Sequence, residues 1–451
     1  MLNKDLEMSK KIAYAVKEKS GTAYYVGGYV RDLLRGIENK DIDMEIHGIG
    51  VQTCEEILDS VGKRINVGKS FGVYNLKGYN IDIALPRSEI LAGNGHKDFN
   101  ISVDPFIGTK KAAMRRDFTV NSIMQNVITN ELVDHFNGLE DIKNKCIRHI
   151  NDEKFSEDAL RVLRGAQFAS RFDFDIAPET KKLFKKIPLH NLSKERVAEE
   201  MKKALLKSER PSAFFEVLKD TNQLDVWFKE LKELIGVKQS MEFHPEGDVW
   251  THTMLTLDFC VNYRNLVNDP LSFMISALCH DMGKPICTTF TNGKIHSYRH
   301  ELYGVDIAEK FVDRIFSENA IKQYVMNMVR YHMRPYVLSS DKSSVKATNN
   351  MFDKFLFPED GIYFSLADNG IKANTEEFKD NKSFLFERLE IYEKTMHQPF
   401  VTGKDLIEFG FEPGENMGEA LKFAHKLRLA GISKEIALKE TTAYLKKINR
   451  Y

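Results

Sequence analysis

The 451-residue sequence has no apolar run that approaches the roughly 20 residues needed to cross a bilayer. Its first residues, MLNKDLEMSKK, lack the apolar core of a secretion signal. The five cysteines show no paired spacing, which argues against a secreted disulfide framework. We therefore expect a cytoplasmic protein without a membrane partner. Net positive charge is also lacking, so any contact with nucleic acid must use local basic patches such as Lys110, Lys111, Arg115 and Arg116.

A chain of this length is too long for one hydrophobic core, so several domains are expected. Short strand and helix patterns alternate in the N-terminal part, whereas long helical periods dominate from Ser156 onward. Polar breaks at HPEGD (244–248) and QPFVTG (398–403) indicate further boundaries. We predict an α+β protein with a small head (1–150), a mostly helical neck (151–240), a third unit (241–375) and a helical tail (376–451).

A glycine pair stands between a predicted strand and a predicted helix. Gly27 and Gly28 follow the strand AYYV, and Arg31 and Asp32 fall in the expected first turn of the next helix. Glycine lets a backbone approach a ligand closely, and the free N–H groups at the start of a helix favour phosphate. An ordinary tight turn is the alternative interpretation. The pair therefore permits a triphosphate site without establishing one.

Two aspartates begin the next predicted strand. Asp41 and Asp43 lie two positions apart, so both carboxylates point to the same face. Hard oxygen ligands at this spacing suit Mg²⁺, which in phosphoryl transfer bridges the nucleotide phosphates and the attacking hydroxyl. Asp82, on a neighbouring predicted strand, is either a third carboxylate of this site or a solvated strand residue. The head is thus predicted to carry a Mg²⁺ site for phosphoryl transfer.

The stretch GGYVRDLLRGIENKDIDMEI resembles the catalytic signature of the bacterial tRNA nucleotidyltransferase and poly(A) polymerase family. RRDFTVNSI (115–123) is similar to its nucleotide-contacting motif, and DHFNGLEDIKNKCIR (134–148) is similar to its connector between head and neck. The resemblance implies that Arg115, Asp117 and Asn121 hold the incoming nucleotide and that Arg116 assists base selection. A surface basic patch with a helix cap is the alternative. The polar, glycine-containing segment at about 86–110 is expected to move between C and A addition.

Asp158 and Arg161 lie three positions apart in SEDALRVLR, a predicted helix, so both can meet one ligand. Cytosine and adenine present an exocyclic amine beside an unprotonated ring nitrogen, whereas uracil and guanine present a carbonyl beside an N–H. A carboxylate beside a guanidinium therefore accepts C and A and rejects U and G. An ordinary intrahelical ion pair is the alternative. The stretch resembles the family's amino-acid template, which implies supporting roles for Glu157, Arg164, Glu195 and Arg196.

Histidine and aspartate residues recur over separate predicted helices of the third unit, at His252, His280, Asp281 and Asp368. Ligands of these types suit Mn, Fe, Ni or Zn better than Mg alone. HPEGDVWTHTM and CHDMGK resemble the HD phosphohydrolase superfamily, and this resemblance implies further ligands at His300 and His332. It also implies hydrolysis of a phosphomonoester or a 2′,3′-cyclic phosphate. Any single histidine is more often packed or on the surface, and Asp360 can replace Asp368.

The resemblance extends over nearly the whole chain and implies addition or repair of the 3′ CCA end of tRNA from CTP and ATP, with no DNA partner. The tail resembles the family's C-terminal helical domain, which contacts the tRNA elbow. Its basic residues are phosphate partners or an ordinary solvated helix face: Lys422, Lys426, Arg428, Lys446 and Lys447. Three alternatives remain: an A-adding enzyme or poly(A) polymerase of the same family, an HD phosphohydrolase with an inactive head, and a non-catalytic RNA-binding protein.

Overall fold

The structure is a computed structural model that describes residues 2–68, 72–91, 99–242 and 244–448. The chain forms two compact units, Met1–Val226 and Trp227–Tyr451. The finer four-part division drawn from the sequence stays a prediction. Residues 92–98, within the segment expected to move, lie outside the described residues. Over the described part of the chain, no helix combines the length and apolarity that a membrane span requires.

The first unit contains helices and strands in alternation, followed by helices. Its helices are α1 (Leu2–Glu18), α2 (Gly27–Leu34), α3 (Val51–Val61), α4 (Thr109–Met114), α5 (Gly138–Lys143), α6 (Asp152–Ser156), α7 (Leu160–Phe172), α8 (Pro178–Phe184), α9 (Lys194–Lys207) and α10 (Ser212–Asp220). Its strands are β1 (Thr22–Tyr25), β2 (Ile42–His47), β3 (Arg64–Gly68), β4 (Val73–Leu76), β5 (Ile81–Ala84), β6 (Arg87–Leu91), β7 (Phe99–Val103), β8 (Met124–Asn126), β9 (Leu132–Val133), β10 (Cys146–Ile147) and β11 (Asp175–Ile176).

A seven-stranded sheet forms the head, in the order β3-β4-β5-β2-β1-β8-β9. Strands β2 and β5 run parallel, and the other neighbours are antiparallel. One face of the sheet packs against α1 and α3 in a common apolar core. Strand β2 contributes Ile42, Met44 and Ile46 to that core. Because side chains alternate along a strand, Asp43 and Glu45 must face the opposite side of the sheet. The core therefore fixes which face carries the polar groups.

The helical part of the first unit packs through aromatic rings. Phe155 of α6 and Phe184 of α8 stack with ring centroids 5.7 Å apart. Phe168 and Phe172 of α7 stack at 5.2 Å, and the Arg31 guanidinium lies 4.4 Å from the Phe172 ring centroid. Such cation–π contacts stabilise a desolvated guanidinium. Helix α7 is thereby fixed against α2 of the head.

The second unit is almost entirely helical. Its helices are α11 (Lys229–Lys232), α12 (Val249–Cys260), α13 (Pro270–Cys279), α14 (Lys284–Cys287), α15 (His300–Ile315), α16 (Asn319–Tyr331), α17 (Met333–Ser340), α18 (Val345–Phe352), α19 (Pro358–Asp368), α20 (Glu376–His397), α21 (Gly403–Glu408), α22 (Glu415–Leu429) and α23 (Lys434–Ile448). A short antiparallel hairpin joins β12 (Thr289–Thr291) and β13 (Lys294–His296). The last three helices share a small core that includes Leu406, Ala420 and Leu445.

Candidate active sites

The polar face of β2 carries the first site. Asp43 on β2 is paired in register with Asp82 on the parallel strand β5, so the two carboxylates lie side by side on one face. Asp43 is half-buried, and Asp82 is exposed. Asp82 accepts a hydrogen bond from the Asn75 side chain on β4. The structure thus brings Asp82 to Asp43, as the first of its two sequence-based interpretations requires.

The surroundings of Asp43 disfavour the ionised form of its carboxyl group. Burial raises its pKa to about 6, and the neighbouring charges of Asp82 and Asp41 add to this rise, against the opposing effect of Arg116. A divalent cation would reverse the repulsion among these carboxylates, so the residues fit such an ion. Asp41 is exposed just before β2, where its side chain accepts a hydrogen bond from Asn80.

The glycine pair forms the first turn of α2. Gly27 has φ +66°, a left-handed conformation that favours glycine. A Cβ at Gly27 would lie 3.1 Å from Nη1 of Arg116 and 3.4 Å from Oδ2 of Asp43, so the backbone approaches both charged groups closely. Because the helix begins at Gly27, Arg31 lies in its second turn. The expected placement of Arg31 and Asp32 in the first turn was wrong.

Buried charges link α2 to the neck by a chain of hydrogen bonds. Arg31 Nε donates to Asp32 Oδ1 at 2.9 Å, and Arg31 Nη1 donates to Asn121 Oδ1 at 2.7 Å. Asn121 Nδ2 donates to Asp117 Oδ1 at 2.9 Å, and Arg164 Nε of α7 donates to Asp117 Oδ2 at 2.7 Å. Burial opposes ionisation of Asp117, but Arg164 and Asn121 outweigh it and lower the pKa of that carboxyl. These predicted nucleotide ligands form one connected network.

Glu45 is a site residue that the sequence interpretation missed. Its side chain is 1% exposed, and Oε2 accepts from Arg115 at 3.1 Å and from Arg116 at 3.4 Å. Its Oε1 lies 2.9 Å from His47 Nε2. Burial opposes its ionisation, yet the His47 hydrogen bond and both arginines lower the pKa of Glu45 to about 2. Glu45 therefore anchors the two arginines beside the carboxylates.

A cavity of about 600 Å³ is lined by most of these groups together with residues of α7 and α9. The cavity is lined by thirteen of the residues that the sequence predicted for the catalytic, nucleotide-binding or supporting roles: Gly27, Gly28, Arg31, Asp43, Asp82, Arg115, Arg116, Asp117, Asn121, Asp158, Arg161, Arg164 and Arg196. Asp32, Asp41, Glu157 and Glu195 are not among the described residues that line it. Asp32 instead holds Arg31, Glu157 pairs with Lys154, and Glu195 is exposed at the start of α9.

The predicted base-selecting pair lies at a break between two helices. Helix α6 ends at Ser156 and α7 begins at Leu160, so Asp158 precedes α7 and Arg161 lies in its first turn. The expectation of one continuous helix through SEDALRVLR was therefore wrong. Asp158 Oδ1 accepts from Leu160 N at 2.9 Å, and Oδ2 accepts from Arg196 at 2.9 Å. Both residues lie at the N-terminus of α7, and both line the cavity.

Arg161 is oriented by backbone carbonyls. Its Nη1 donates to Lys154 O at 2.6 Å, and its Nη2 donates to Arg115 O at 2.9 Å. The second bond ties the neck to the RRD segment of the head. Arg196 contacts Asp158 through Nη2, whereas its Nη1 is buried and has no hydrogen-bond partner in the described part of the chain. A guanidinium left in this state is suited to a further acceptor, because an unmade buried hydrogen bond costs about 1–3 kcal/mol.

The second site is a buried histidine cluster in the Trp227–Tyr451 unit. Nε2 of His252 lies 3.2 Å from Nε2 of His280, and Nε2 of His300 lies 3.2 Å from Nε2 of His332. Asp281 lies between the pairs, 3.3 Å from Nε2 of both His280 and His300. Among the described residues, two of the three-residue groups with metal-ligand spacing contain Asp281: His252–His280–Asp281 and Asp281–His300–His332. Asp281 belongs to both groups, so the cluster fits one cation or an adjacent pair.

Hydrogen bonds at the far side of each ring set the tautomers of these histidines. Nδ1 of His280, His300 and His332 lies 2.8 Å from the carbonyl oxygens of Ala277, Ser297 and Val329 respectively. A carbonyl only accepts, so each Nδ1 carries the proton, and in the neutral ring each Nε2 presents a lone pair to the cluster. Lone pairs 3.2 Å apart repel unless a cation or proton lies between them. The cluster therefore fits a metal ion on its own geometry.

Two carboxylates complete the cluster, one of which the sequence interpretation missed. Asp368 Oδ1 lies 2.9 Å from Nε2 of His252, whereas Asp360 accepts from Asn268 and from the Tyr324 hydroxyl and does not reach the histidines. Between the two candidates, the structure places Asp368 at the cluster. Glu246 was missed: its Oε1 accepts from Nδ1 of His252 at 2.8 Å and of His244 at 3.0 Å. A carboxylate in this position orients a metal-binding imidazole.

Comparison with known proteins places the chain in a family. Residues 23–148 match the poly A polymerase head domain, and residues 173–235 match the probable RNA and SrmB-binding site of polymerase A. The chain is 32% identical over 344 residues to the multifunctional CCA protein of Haemophilus ducreyi. The aligned region covers 74% of this chain and 81% of that protein.

Solved structures share the fold. The apo form II of a CCA-adding enzyme aligns with TM-score 0.69 at 21% identity, over 98% of this chain and 96% of that one. The Thermotoga maritima CCA-adding enzyme complexed with tRNA aligns with TM-score 0.66 at 20% identity, over 98% of both chains. Fold and cavity together define a nucleotidyltransferase. The chain belongs to the family of template-independent tRNA nucleotidyltransferases and poly(A) polymerases.

Proposed function

We propose that this protein adds or repairs the 3′ CCA end of tRNA from CTP and ATP. The observation that carries the proposal is one cavity lined both by the Asp43–Asp82 carboxylate pair and by Asp158 and Arg161. A phosphoryl-transfer centre therefore faces a protein surface that selects C and A. The name of the Haemophilus ducreyi relative, multifunctional CCA protein, supports the same activity. Because tRNA, CTP and ATP would be its substrates, we propose that the protein acts in the cytoplasm.

In the proposed reaction, the 3′-hydroxyl oxygen of the RNA bonds to the α-phosphorus of CTP or ATP. The bond from that phosphorus to the bridging oxygen breaks, pyrophosphate leaves, and the hydroxyl proton passes to water. Asp43 and Asp82, with Asp41 beside them, would hold Mg²⁺, which supplies charge neutralisation for the transferring phosphoryl group. Arg31, anchored by Asp32 and Asn121, presents positive charge to the triphosphate.

Base selection follows from the hydrogen-bonding pattern of the pair. The Asp158 carboxylate accepts from the exocyclic amine of C or A, and the Arg161 guanidinium donates to the ring nitrogen beside it. Arg196 holds Asp158, and the Lys154 and Arg115 carbonyls hold Arg161, so neither group reorients freely toward U or G. An A-adding enzyme or poly(A) polymerase would use the same pair, so product analysis with CTP and ATP separates the two activities.

Replacing Asp158 with alanine should weaken base selection more than catalysis. We expect the preference for CTP over UTP to fall about 5- to 150-fold, because each mismatched buried polar group costs about 1–3 kcal/mol. Single-turnover incorporation of each nucleotide into a tRNA transcript measures the preference. Glu153→Ala on the exposed face of α6 is the matched control and should leave the preference unchanged. An Asp158→Ala protein with an unaltered CTP preference would contradict the assignment.

We further propose that the histidine cluster is an HD-type phosphohydrolase site. The convergence of four imidazole Nε2 atoms with Asp281 and Asp368 supports it. These residues would hold Mn, Fe, Ni or Zn, and the bound ion would activate water for attack on a phosphomonoester or a 2′,3′-cyclic phosphate. Such hydrolysis would restore a damaged RNA end before nucleotide addition. Elemental analysis of the purified protein, ring opening of a 2′,3′-cyclic nucleotide to its monophosphate, and phosphate release from a phosphomonoester test this second activity.

Gly283 positions the cluster through a backbone contact. A Cβ at Gly283 would lie 2.1 Å from the carbonyl oxygen of His300 and 2.7 Å from the nitrogen of Gly304. Gly283→Ala must therefore displace the start of α15, which carries His300. We expect metal affinity to fall about 10- to 100-fold, the usual cost of disturbing the support of a ligand.

Metal titration of the variant, with CCA addition measured in parallel, checks this expectation. CCA addition should be unchanged, because the nucleotidyltransferase cavity is built by the other unit. Gly418→Ala is the control, since a Cβ there meets no described atom within 4 Å. Unaltered metal affinity in Gly283→Ala would show that this contact does not support the cluster.

The C-terminal helices α22 and α23 are proposed to contact tRNA. Lys422, Lys426 and Arg428 lie on α22, and Lys446 and Lys447 lie in the last turn of α23. Lysine and arginine side chains neutralise RNA phosphates. The Arg428 guanidinium is already engaged with backbone carbonyls of Thr395 and Gln398, so the lysines are the better candidates. This assignment completes the proposed division into head, neck, HD unit and tail.

A further inference from the structure

The histidine cluster opens into a cavity of about 380 Å³ whose outer wall is aromatic. This volume falls within the usual range for small-molecule sites. His296, the last residue of β13, and Tyr298, two positions further along, both line the cavity. Their rings stack with centroids 4.9 Å apart and planes only 9° from parallel. Tyr298 is 71% exposed, although tyrosine rings usually bury much of their surface.

The same short segment holds both the aromatic rings and the cluster. Ser297, between His296 and Tyr298, accepts a hydrogen bond from Nδ1 of His300 through its carbonyl oxygen. Its hydroxyl is 2.8 Å from the hydroxyl of Thr288, which closes the base of the hairpin. The ring pair is thus fixed relative to the metal-ligating groups.

Polar groups complete the remaining wall of the cavity. Lys372 Nζ lies 3.4 Å from the hydroxyl of Tyr336, and both residues line the cavity. Lys284 pairs with Asp281 at 2.6 Å and donates to Gln239 at 2.6 Å, which brings a second ammonium to the cluster side. A planar apolar surface, a phosphate-hydrolysing centre and cationic groups therefore border one space. A nucleotide combines the matching parts: a planar base, a ribose and a phosphate.

We propose that His296 and Tyr298 form a base-stacking subsite, which holds the base of a nucleotide whose phosphate lies at the histidine cluster. The inference rests on the proposed phosphohydrolase function and names the residues that would recognise the base of its substrate. The base stacks on the His296–Tyr298 ring pair while the phosphate lies at the cluster. Stacking is tolerant of base identity, because every base has a π-face. The subsite therefore selects nucleotides over other phosphates without selecting a particular base.

Binding of 2-aminopurine riboside 3′-monophosphate tests the subsite without requiring hydrolysis. The quenching of its fluorescence measures the binding. We expect Tyr298→Ala to weaken binding about 5- to 100-fold, the range that loss of one base-stacking contact produces. Tyr298→Phe keeps the ring and should bind as the wild type does. Tyr303→Ala, at a half-exposed tyrosine outside the cavity, is the matched control. Because the head cavity also accepts nucleotides, only the difference between wild type and variant counts. Equal affinities of wild type and Tyr298→Ala would overturn the proposal.

A hydrolysis assay separates failure of the subsite from failure of the phosphohydrolase function. The substrates are cytidine 2′,3′-cyclic phosphate and glycerol 2-phosphate, which carries a phosphate without a base. We expect Tyr298→Ala to raise KM for the cyclic nucleotide only, with kcat little changed. If both substrates are hydrolysed with the same KM in wild type and variant, the subsite is wrong and the activity stands. If neither is hydrolysed but fluorescence binding depends on Tyr298, the activity fails and the subsite stands.

The source of the nucleotide is decided by repeating the binding experiment with a short RNA that ends in 2-aminopurine. A Tyr298-dependent signal from the RNA alone identifies an RNA 3′ end as the ligand. If the RNA and the mononucleotide both give a Tyr298-dependent signal, free nucleotides are ligands in addition to RNA 3′ ends. Either result supports base stacking, and its absence from both contradicts it.

Discussion

Asp43→Asn is expected to lower the rate of CTP and ATP addition by a factor on the order of 10³. The loss follows because the substitution removes a negative charge that would hold the cation at the transferring phosphoryl group. Asp43 is the one carboxylate of the three that is half-buried beside both the glycine turn and Arg116. Rapid-quench measurement with a tRNA transcript ending in CC gives the rate of the single ATP addition.

The loss should not come from unfolding. Burial and the neighbouring carboxylates raise the pKa of Asp43 to about 6, so its ionised form opposes folding near neutral pH, and neutral asparagine removes that cost. The thermal midpoint of Asp43→Asn should therefore equal or exceed that of the wild type. Asp59→Asn, at an exposed aspartate of α3, is the matched control and should retain full activity. An Asp43→Asn protein that keeps a tenth of the wild-type rate would contradict the catalytic assignment.

Glu45→Gln is expected to lower the stability of the head by about 3 kcal/mol, because it leaves the half-buried guanidinium groups of Arg115 and Arg116 without the buried carboxylate that they share. Hydrogen exchange of peptides from residues 2–68, measured by mass spectrometry in increasing urea, reports the stability of this part alone. Glu7→Gln on the exposed face of α1 is the control and should change stability by less than about 0.5 kcal/mol. Equal stability of Glu45→Gln and the wild type would show that the arginines do not depend on Glu45.

The stabilisation by Glu45 should also depend on pH. Its folded-state pKa of about 2 lies below its ordinary value of 4.5, so the contribution is complete above that value. It is lost progressively as pH falls from about 4.5 toward about 2. The stability difference between wild type and Glu45→Gln should therefore shrink as pH falls from about 4.5 toward about 2. A difference that stays constant over this interval would contradict the depressed pKa.

The sequence was sufficient to predict the strand that carries the first site, because alternation in DIDMEIH separates an apolar face from an acidic one. Extending the same alternation by one step would have found Glu45. That residue was missed because a strand glutamate is ordinarily solvated, and its burial depends on Arg115 and Arg116, 70 or more positions away. Long-range ion pairs of this kind are set by the fold, and a single sequence does not display them.

Helix boundaries were harder to predict than contacts. Asp158 and Arg161 were expected on one helix, yet α7 starts at Leu160, where Asp158 Oδ1 accepts the Leu160 amide. The spacing of the two residues was read correctly, but the break between α6 and α7, where Leu160 N donates to Asp158 Oδ1, was not. The glycine pair gave a second boundary error, since α2 begins at Gly27 itself and Arg31 therefore lies in its second turn and not in its first.

The histidine cluster shows what spacing alone leaves open. The CHDMGK motif was enough to predict His280 and Asp281 as members of the site. It left the choice between Asp360 and Asp368 open. These two residues lie about 12 Å apart along α19, because a helix rises about 1.5 Å per residue. Only the packing of α19 against α12 decides which end reaches His252. Glu246 was missed because it bonds the outer nitrogen of His252, a support role that ligand spacing does not reveal.

The proposed function requires that one cavity in the Met1–Val226 unit both transfers nucleotides and selects C and A without a nucleic-acid template. The purified protein should be offered tRNA transcripts that end at the discriminator base, at C and at CC, with labelled CTP or ATP and Mg²⁺. We predict two C additions followed by one A and then a stop. Addition of A alone to the CC-ended transcript, or long A tails, would contradict CCA addition and assign the cavity to an A-adding enzyme or poly(A) polymerase.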